Sequence, residues 1–207
     1  MARGADHEAR RLEILSATRA LIVERGIAKV SFREVGRRLG GSASLVSHYY
    51  SDREHLFRDL ADESVTGWLE DLEAIELEHP DPLDRLQRLV FAWLLPLEGA
   101  ELDAEKVRMS FVAAGLQGER TQDILDTWDE AIRSMLSRTL VELVPADRVE
   151  TAIDLVRAAF SGVSLSALEH PDRWPPRRQA TIMNMILSGL SLTDSSPSHG
   201  GNVAWAG

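Results

Sequence analysis

Ser31-Phe32-Arg33-Glu34-Val35-Gly36-Arg37-Arg38-Leu39-Gly40-Gly41-Ser42-Ala43-Ser44-Leu45-Val46-Ser47-His48-Tyr49-Tyr50-Ser51-Asp52-Arg53-Glu54 holds three helix starts close together. Ser31 and Glu34 have the reciprocal capping pattern, a hydroxyl at the N-cap and a carboxylate three residues on. Val35 and Leu39 carry this helix to about Leu39, where Gly40-Gly41 breaks it. Ser42 can cap a short helix running through about Tyr49. Ser51-Asp52-Arg53-Glu54 repeats the capping pattern and opens a long helix that lasts until His79-Pro80. Two short helices joined by a tight glycine turn and packed on a longer one predict a helix-turn-helix. The alternative is a bundle corner whose caps do only local work.

Upstream, Ile14, Leu15, Thr18, Leu21 and Ile22 form one buried stripe on a helix from about His7 to Arg25, since they recur on a single helical face. Gly26 follows, where a left-handed C-terminal cap needs a residue without Cβ. Downstream, helices are predicted from Pro82 to Leu95, Asp103 to Leu116, Thr121 to Leu143, Asp147 to Glu169 and Arg177 to Leu192. Pro96 and Gly99, Gly118, and Pro145 end the first three, and His170 to Pro176 forms a rigid connector. No strand pattern interrupts them. The expected fold is all-α with about nine helices, and no flexible linker separates an N-terminal domain (1–60) from a C-terminal one (61–192). A polar tail, 193–207, is expected to be disordered.

Composition narrows the function. The net charge is −10, yet residues 1–60 carry eleven Arg and Lys against eight Asp and Glu. The acidity therefore sits in the remainder, and a basic segment on an acidic body suits a polyanion reader. There is no cysteine, so disulfides, thiolate metal sites and cysteine nucleophiles are excluded, in keeping with a reducing cytoplasm. No run of about 18 apolar residues predicts a membrane span, and Met1 to Asp6 lacks the apolar stretch of a signal peptide.

Within the motif, Val35, Leu39, Val46 and Tyr50 have the spacing of a rear anchor. Ser42, Ala43, Ser44, Leu45, Ser47, His48 and Tyr49 are left to face outward, toward base edges in a major groove. Arg33 and Arg37 lie one turn apart, Arg53 sits at the next helix start, and the amide ends at Ser31, Ser42 and Asp52 suit phosphates. His48 has no metal-ligand partner at helical spacing except His55, across a helix break, so no metal or cofactor is expected.

The stretch Ile14 to Leu60 resembles the TetR family of transcriptional regulators. The markers are Ile14-Leu15, Ala17, Leu21 and Gly26, then Ser31 to Val35, then the aromatic exit Ser47-His48-Tyr49-Tyr50-Ser51-Asp52-Arg53-Glu54-His55-Leu56. The Ser-His-Tyr-aromatic wording resembles the BetI-like subgroup, whose regulatory domain the acidic remainder with Trp128 also resembles. The resemblance implies that Ser42, Ser44, Ser47, His48 and Tyr49 belong to the recognition helix and that Arg53 grips phosphate. Gly41 and Gly36 depart from the family pattern. Gly41 loosens the turn, and Gly36 stands for the usual alanine at a cost of roughly 1 kcal/mol of helix stability.

The last helix carries Ile182, Met183, Met185, Ile186, Leu187 and Leu190 around most of its circumference, and the helix before it carries small residues including Ala159, Gly162 and Ser166. A partner subunit is the simplest cover. The expected four-helix homodimer interface, which the resemblance also implies, comprises Ala159, Gly162, Ser166, Ile182, Met183, Ile186 and Leu190; a monomeric core helix is the alternative. Trp68, Phe91, Trp93, Met109, Phe111, Trp128, Met135 and Phe160 are candidates for a pocket that holds an apolar or cationic effector, although the same spacing also suits plain core. Nothing places choline here.

No glycine-rich phosphate loop, HExxH, CxxC or nucleophile elbow is present, so no enzyme is expected. The expected function is a ligand-responsive, dimeric DNA-binding regulator, most readily a repressor on double-stranded DNA. Its rival is a helical small-molecule-binding or adaptor protein without sequence-specific DNA binding.

Overall fold

The computed structural model of the chain describes residues 2–93, 98–117 and 121–190, except the side chains of 2–5, 68, 71–73, 92 and 93. The tail 193–207 and the side chains of Trp68 and Trp93 lie outside the described residues. Among these the chain is all-α, without strands. The helices are α1 (Ala2–Arg25), α2 (Phe32–Arg38), α3 (Ala43–Ser47), α4 (Arg53–Glu78), α5 (Pro82–Trp93), α6 (Gly99–Leu116), α7 (Gln122–Leu140), α8 (Val149–Glu169) and α9 (Pro176–Leu190).

Several boundaries move for local reasons. Helix α1 begins at Ala2, five residues before the expected start, and runs through Gly4 without a break. Gly26 has a positive φ of 78° with ψ of 158°, an extended mirror conformation that only glycine adopts readily, in place of the expected left-handed helical cap. Helix α3 stops at Ser47. The amides of Tyr49 and Tyr50 both donate to the Val46 carbonyl, at 3.0 and 3.1 Å, which tightens the exit. The cap of α4 is Asp52, whose carboxylate accepts from the His55 amide at 2.8 Å, while the Ser51 hydroxyl donates to it. Gly99 opens α6 instead of ending α5. Pro145 leads into a 3-10 turn, Ala146–Arg148, before α8.

Hydrophobic packing divides the molecule differently from chain order. One core joins Ile14, Leu21, Val35, Val46, Tyr50, Phe57 and Leu60 of the first four helices to Val107, Phe111 and Ala114 of α6 and Ile124 and Trp128 of α7. The second joins Leu86, Leu89, Met135, Leu136, Leu140, Val156, Phe160, Met183 and Leu187 of α5, α7, α8 and α9. The helix-turn-helix is therefore built onto α6 and α7 directly. Phe111, fully buried, meets Phe57 edge-to-face at 5.1 Å and Trp128 at 5.3 Å.

The turn between α2 and α3 depends on two glycines. Gly40 takes a φ of +73°, the left-handed region. At Gly36 a Cβ would lie 2.2 Å from the Ser42 carbonyl oxygen and 2.6 Å from its carbon, while the Gly41 amide donates to the Gly36 carbonyl at 2.8 Å. Gly36 is thus the contact point that lets the turn backbone close on α2, which corrects its reading as a simple weakness in the helix. At Gly41 a Cβ would lie 2.9 Å from Leu45 Cδ1. Gly36→Ala is expected to lower stability by about 2 kcal/mol or more, whereas Gly67→Ala on α4, with open space at its Cβ, gains up to about 1 kcal/mol. Urea denaturation of both variants at one protein concentration checks the contrast.

Candidate nucleic-acid interface

The local geometry of α2 and α3 follows from their caps. Ser31 Oγ accepts from the Glu34 amide at 3.3 Å, fixing the amino end of α2. Ser42 precedes α3 in extended conformation, but its hydroxyl makes no cap bond; it lies 2.7 Å from Ser44 Oγ instead. Ser47 Oγ turns back to the Ser44 carbonyl. Val46 and Tyr50 are buried and Leu39 is half-buried behind them, so the rear anchor is in place.

The outward surface is narrower than the sequence suggests. Ser42, Ser44, Ser47 and His48 are exposed, whereas Ala43, Leu45 and Tyr49 are half-buried. Leu45 and Tyr49 lean on the core of the first four helices, because a helix of five residues cannot turn all its apolar groups away from it. His48 meets Tyr49 edge-on at 5.4 Å. Around the amino end of α2, an open depression is lined by Arg25, Ala28, Lys29, Ser31, Arg33, Glu34 and Arg37. It gathers four cations and one carboxylate. Glu34 pairs with Arg37 and, at 3.2 Å, with Arg25, which holds both guanidiniums on this face. Arg25 and Lys29 have no counterpart in the sequence-based selection; their place in the depression depends on how α1 and its following turn meet α2. Arg53 stands over the Phe57 ring at 5.0 Å, on the first turn of α4.

Asp52, accepting from the His55 amide and then from Ser51, keeps its carboxyl below the ordinary range. The exit of α3 is tied down by a charge network. The Tyr50 hydroxyl donates to Asp59 at 2.6 Å. Arg11 bridges Asp59 at 2.6 Å and Glu8 at 2.8 Å. His7, also on α1, packs on the Tyr49 ring with centroids 4.5 Å apart. No pattern in the sequence links these positions, because the contact spans more than forty residues.

In the body, the pocket candidates separate. Phe111 and Trp128 are buried in the first core, Met135 and Phe160 in the second; Met109 and Phe91 are half-buried. Two charged pairs lie where residues of α6 and α7 meet those of α8. Arg108 makes a bidentate pair with the buried Glu105, at 2.6 and 2.7 Å, and stands over the Phe160 ring at 5.7 Å. Arg157 pairs with Asp129 at 2.5 Å, and burial pushes its guanidinium below its ordinary value. The Trp128 indole N–H is buried without a hydrogen-bond partner. Among the described residues no group of three His, Asp or Glu is arranged to hold a metal.

On α8 and α9, Gly162 is exposed, and Ala159, Ser166, Ile182 and Ile186 are half-buried. Met183 and Leu190 point into the chain's own core. With Leu187 they form an i, i+4, i+7 stripe, which removes them from any surface. The apolar groups left outside are Leu155, Leu165 and Met185, 46 to 72% exposed.

A short, polar-faced helix on a glycine turn, anchored from behind and preceded by a helix that borders a basic depression, defines a helix-turn-helix DNA-binding protein. Residues 14–60 match the family model described as bacterial regulatory proteins, tetR family. Residues 82–191 match the BetI-type transcriptional repressor, C-terminal. The chain belongs to the TetR family, with a C-terminal domain of BetI type. It is 25% identical over 204 residues to the HTH-type transcriptional regulator PksA of Bacillus subtilis (strain 168), covering 94% of this chain and 96% of that protein. A crystal structure of a transcriptional regulator from Rhodococcus sp. Rha1 superposes with a TM-score of 0.76 at 24% identity, covering 87% of this chain and 95% of that one. A chain from Saccharomonospora viridis, solved in complex with choline, superposes with a TM-score of 0.71 at 19% identity, covering 88% and 96%.

Tyr50→Phe removes the bond to Asp59 and is expected to cost about 1 kcal/mol. Burial, then the Asp59 carboxylate, raises the Tyr50 phenol above its usual value of 10.0. A folded-state value raised in this way gives stability that is complete below pH 10 and falls as the pH climbs beyond it. Denaturation midpoints measured from pH 7 to about 11 should show that alkaline decline in the wild type and a smaller one in Tyr50→Phe.

Proposed function

We propose that this TetR-family regulator binds double-stranded DNA as a homodimer and releases it when a small molecule enters the body. The observation that carries this reading is the exposed serine face of α3 in a helix-turn-helix whose first helix, α2, borders the four-cation depression. Ser42, Ala43, Ser44, Leu45, Ser47, His48 and Tyr49 then meet base edges and adjoining backbone. Ser31, Arg33, Arg37 and Arg53 meet phosphates. The protein acts by binding, without catalysis, in the cytoplasm.

The dimer joins α8 and α9 to their copies. Helix α8 with its preceding turn, Ala146–Glu169, has a mean hydropathy of 1.3 over an 18-residue window, yet only 39% of that window is buried within one chain. An apolar helix left this open calls for a cover. Gly162, with empty space at its Cβ, permits close approach, and Ala159, Ser166, Ile182 and Ile186 surround it with Leu155, Leu165 and Met185. Two-fold symmetry would place the α3 helices roughly 34 Å apart or near a multiple of it, on a palindromic operator. A dimer seated there blocks polymerase, which makes repression the simplest outcome.

The effector enters at the seam between the two cores. Trp128, with its unpartnered N–H, Phe111, Phe160 and Met109 supply aromatic and thioether surface, with Phe91 and Met135 deeper in the second core. A quaternary ammonium such as the choline of the Saccharomonospora chain is one class to screen, since such cations favour aromatic faces. The response reaches DNA through α4, which runs unbroken from Arg53 to Glu78. Phe57 on that helix touches Phe111, and Phe111 touches Trp128, so a shift at Trp128 bears on α4 within two ring contacts. A ligand that binds the two tilts of α4 unequally shifts the spacing of the α3 pair.

Three measurements test this. Arg53→Ala and Tyr49→Ala should each weaken binding to DNA flanking the chain's own gene by about tenfold, with wild-type affinity falling steeply as salt rises. Met185→Glu should shift sedimentation toward the monomer and reduce operator binding together. Binding that is indifferent to Arg53, Tyr49 and salt would leave only a ligand-binding or adaptor role.

A further inference from the structure

Helix α1 extends well beyond what its own packing explains. Its first buried residue is Ile14, so residues 2–13 project as an overhang of about 18 Å at 1.5 Å per residue. From Asp6 to Glu13 every residue is exposed apart from the half-buried Arg11. No side chain in that stretch is buried, and Leu12 is 42% exposed. The overhang is held by the Arg11 bridge to Asp59 on α4, which in turn accepts the Tyr50 hydroxyl. The bridge sets His7 against Tyr49, at the exit of α3, with ring centroids 4.5 Å apart.

By charge the overhang is balanced, with Arg3, Arg10 and Arg11 against Asp6, Glu8 and Glu13. The first turn of this 24-residue helix carries no acidic residue to offset the positive end of its dipole. Further along, the carboxylates of Glu8 and Glu13 are occupied by Arg11 and Arg10, at 2.8 and 2.5 Å. The imidazole of His7 is the side chain that reaches the α3 exit.

We propose that the α1 overhang is a second DNA-contacting element, in which His7, seated on Tyr49, bonds a backbone phosphate at the edge of the groove that α3 occupies. This rests on the reading of α3 as the groove-entering helix. The overhang lengthens the footprint of each half-site without adding base recognition, because a phosphate contact is independent of sequence. Arg11 and Asp59 are positioning residues: they hold the overhang at the angle where His7 covers Tyr49.

The test uses the full-length chain and a duplex that the wild type selects from a random library. Affinity is followed by anisotropy against salt, and phosphates by ethylation interference. His7→Ala should melt with the wild type, because His7 is exposed, yet bind about fivefold or more weakly. It should lose interference at one outer phosphate per half-site while keeping the base preferences. His7→Lys should restore affinity and steepen the salt dependence by about one unit per subunit. Wild-type affinity in His7→Ala, or a His7→Lys that behaves like His7→Ala, overturns the proposal while leaving the α3 reading intact. A wild-type chain that selects no duplex overturns both.

Discussion

The edge-to-face contact between Phe57 and Phe111 is the interaction on which the remaining architecture depends. It lies where a helix leaving the DNA-facing end meets a helix of the body, and both rings are buried. Val107, Ala114, Ile124 and Trp128 continue the same core, so the helix-turn-helix borrows part of its hydrophobic interior from α6 and α7. Three short-range helices of about fifty residues bury little surface by themselves. Borrowing solves that problem and creates coupling, since neither half can repack without disturbing the other.

The surface charges complete this arrangement by setting angles between helices. Arg19 of α1 meets Glu63 of α4 at 2.6 Å, Arg38 of α2 meets Glu24 of α1 at 2.7 Å, and Arg138 of α7 meets Glu76 of α4 at 2.5 Å. Arg133 of α7 spans Glu150 and Asp154 of α8. Exposed pairs of this kind contribute at most about 1 kcal/mol each. Their value is geometric: each joins different helices, and most use an acid of the negatively charged body or of α4. The acidity that at first looks unsuited to a DNA binder is thus partly consumed in bracing it.

Much of the fold was legible because helix ends announce themselves chemically. Ser31 caps α2, the Ile14 to Ile22 stripe is buried as a unit, and Val35 and Val46 anchor the motif, all by short-range rules. Where reading failed, two competing groups stood side by side. Ser51 and Asp52 can each cap a helix, and the carboxylate took the amide. The start of α5, by contrast, was legible: Pro82 is its first residue, and Asp81 caps it, accepting from the Asp84 amide at 2.7 Å. Gly99 resembles a stop and is a start. The interface residues were harder still. An apolar α9 does not show which stripe its own subunit claims, and Met183 and Leu190 went inward. Gly36 and His7 lie beyond local rules, since each is defined by a contact with a segment elsewhere in the chain.

On the proposed reading of α3, the serines in and just before it illustrate how cheaply such a protein can change what it recognises. Ser42 and Ser44 bond to each other, Ser47 bonds to its own helix backbone, and all three are open to solvent. None fills the interior. Exchanging them leaves the folded scaffold untouched, so over generations a duplicated copy could drift to new target sequences long before its stability suffered.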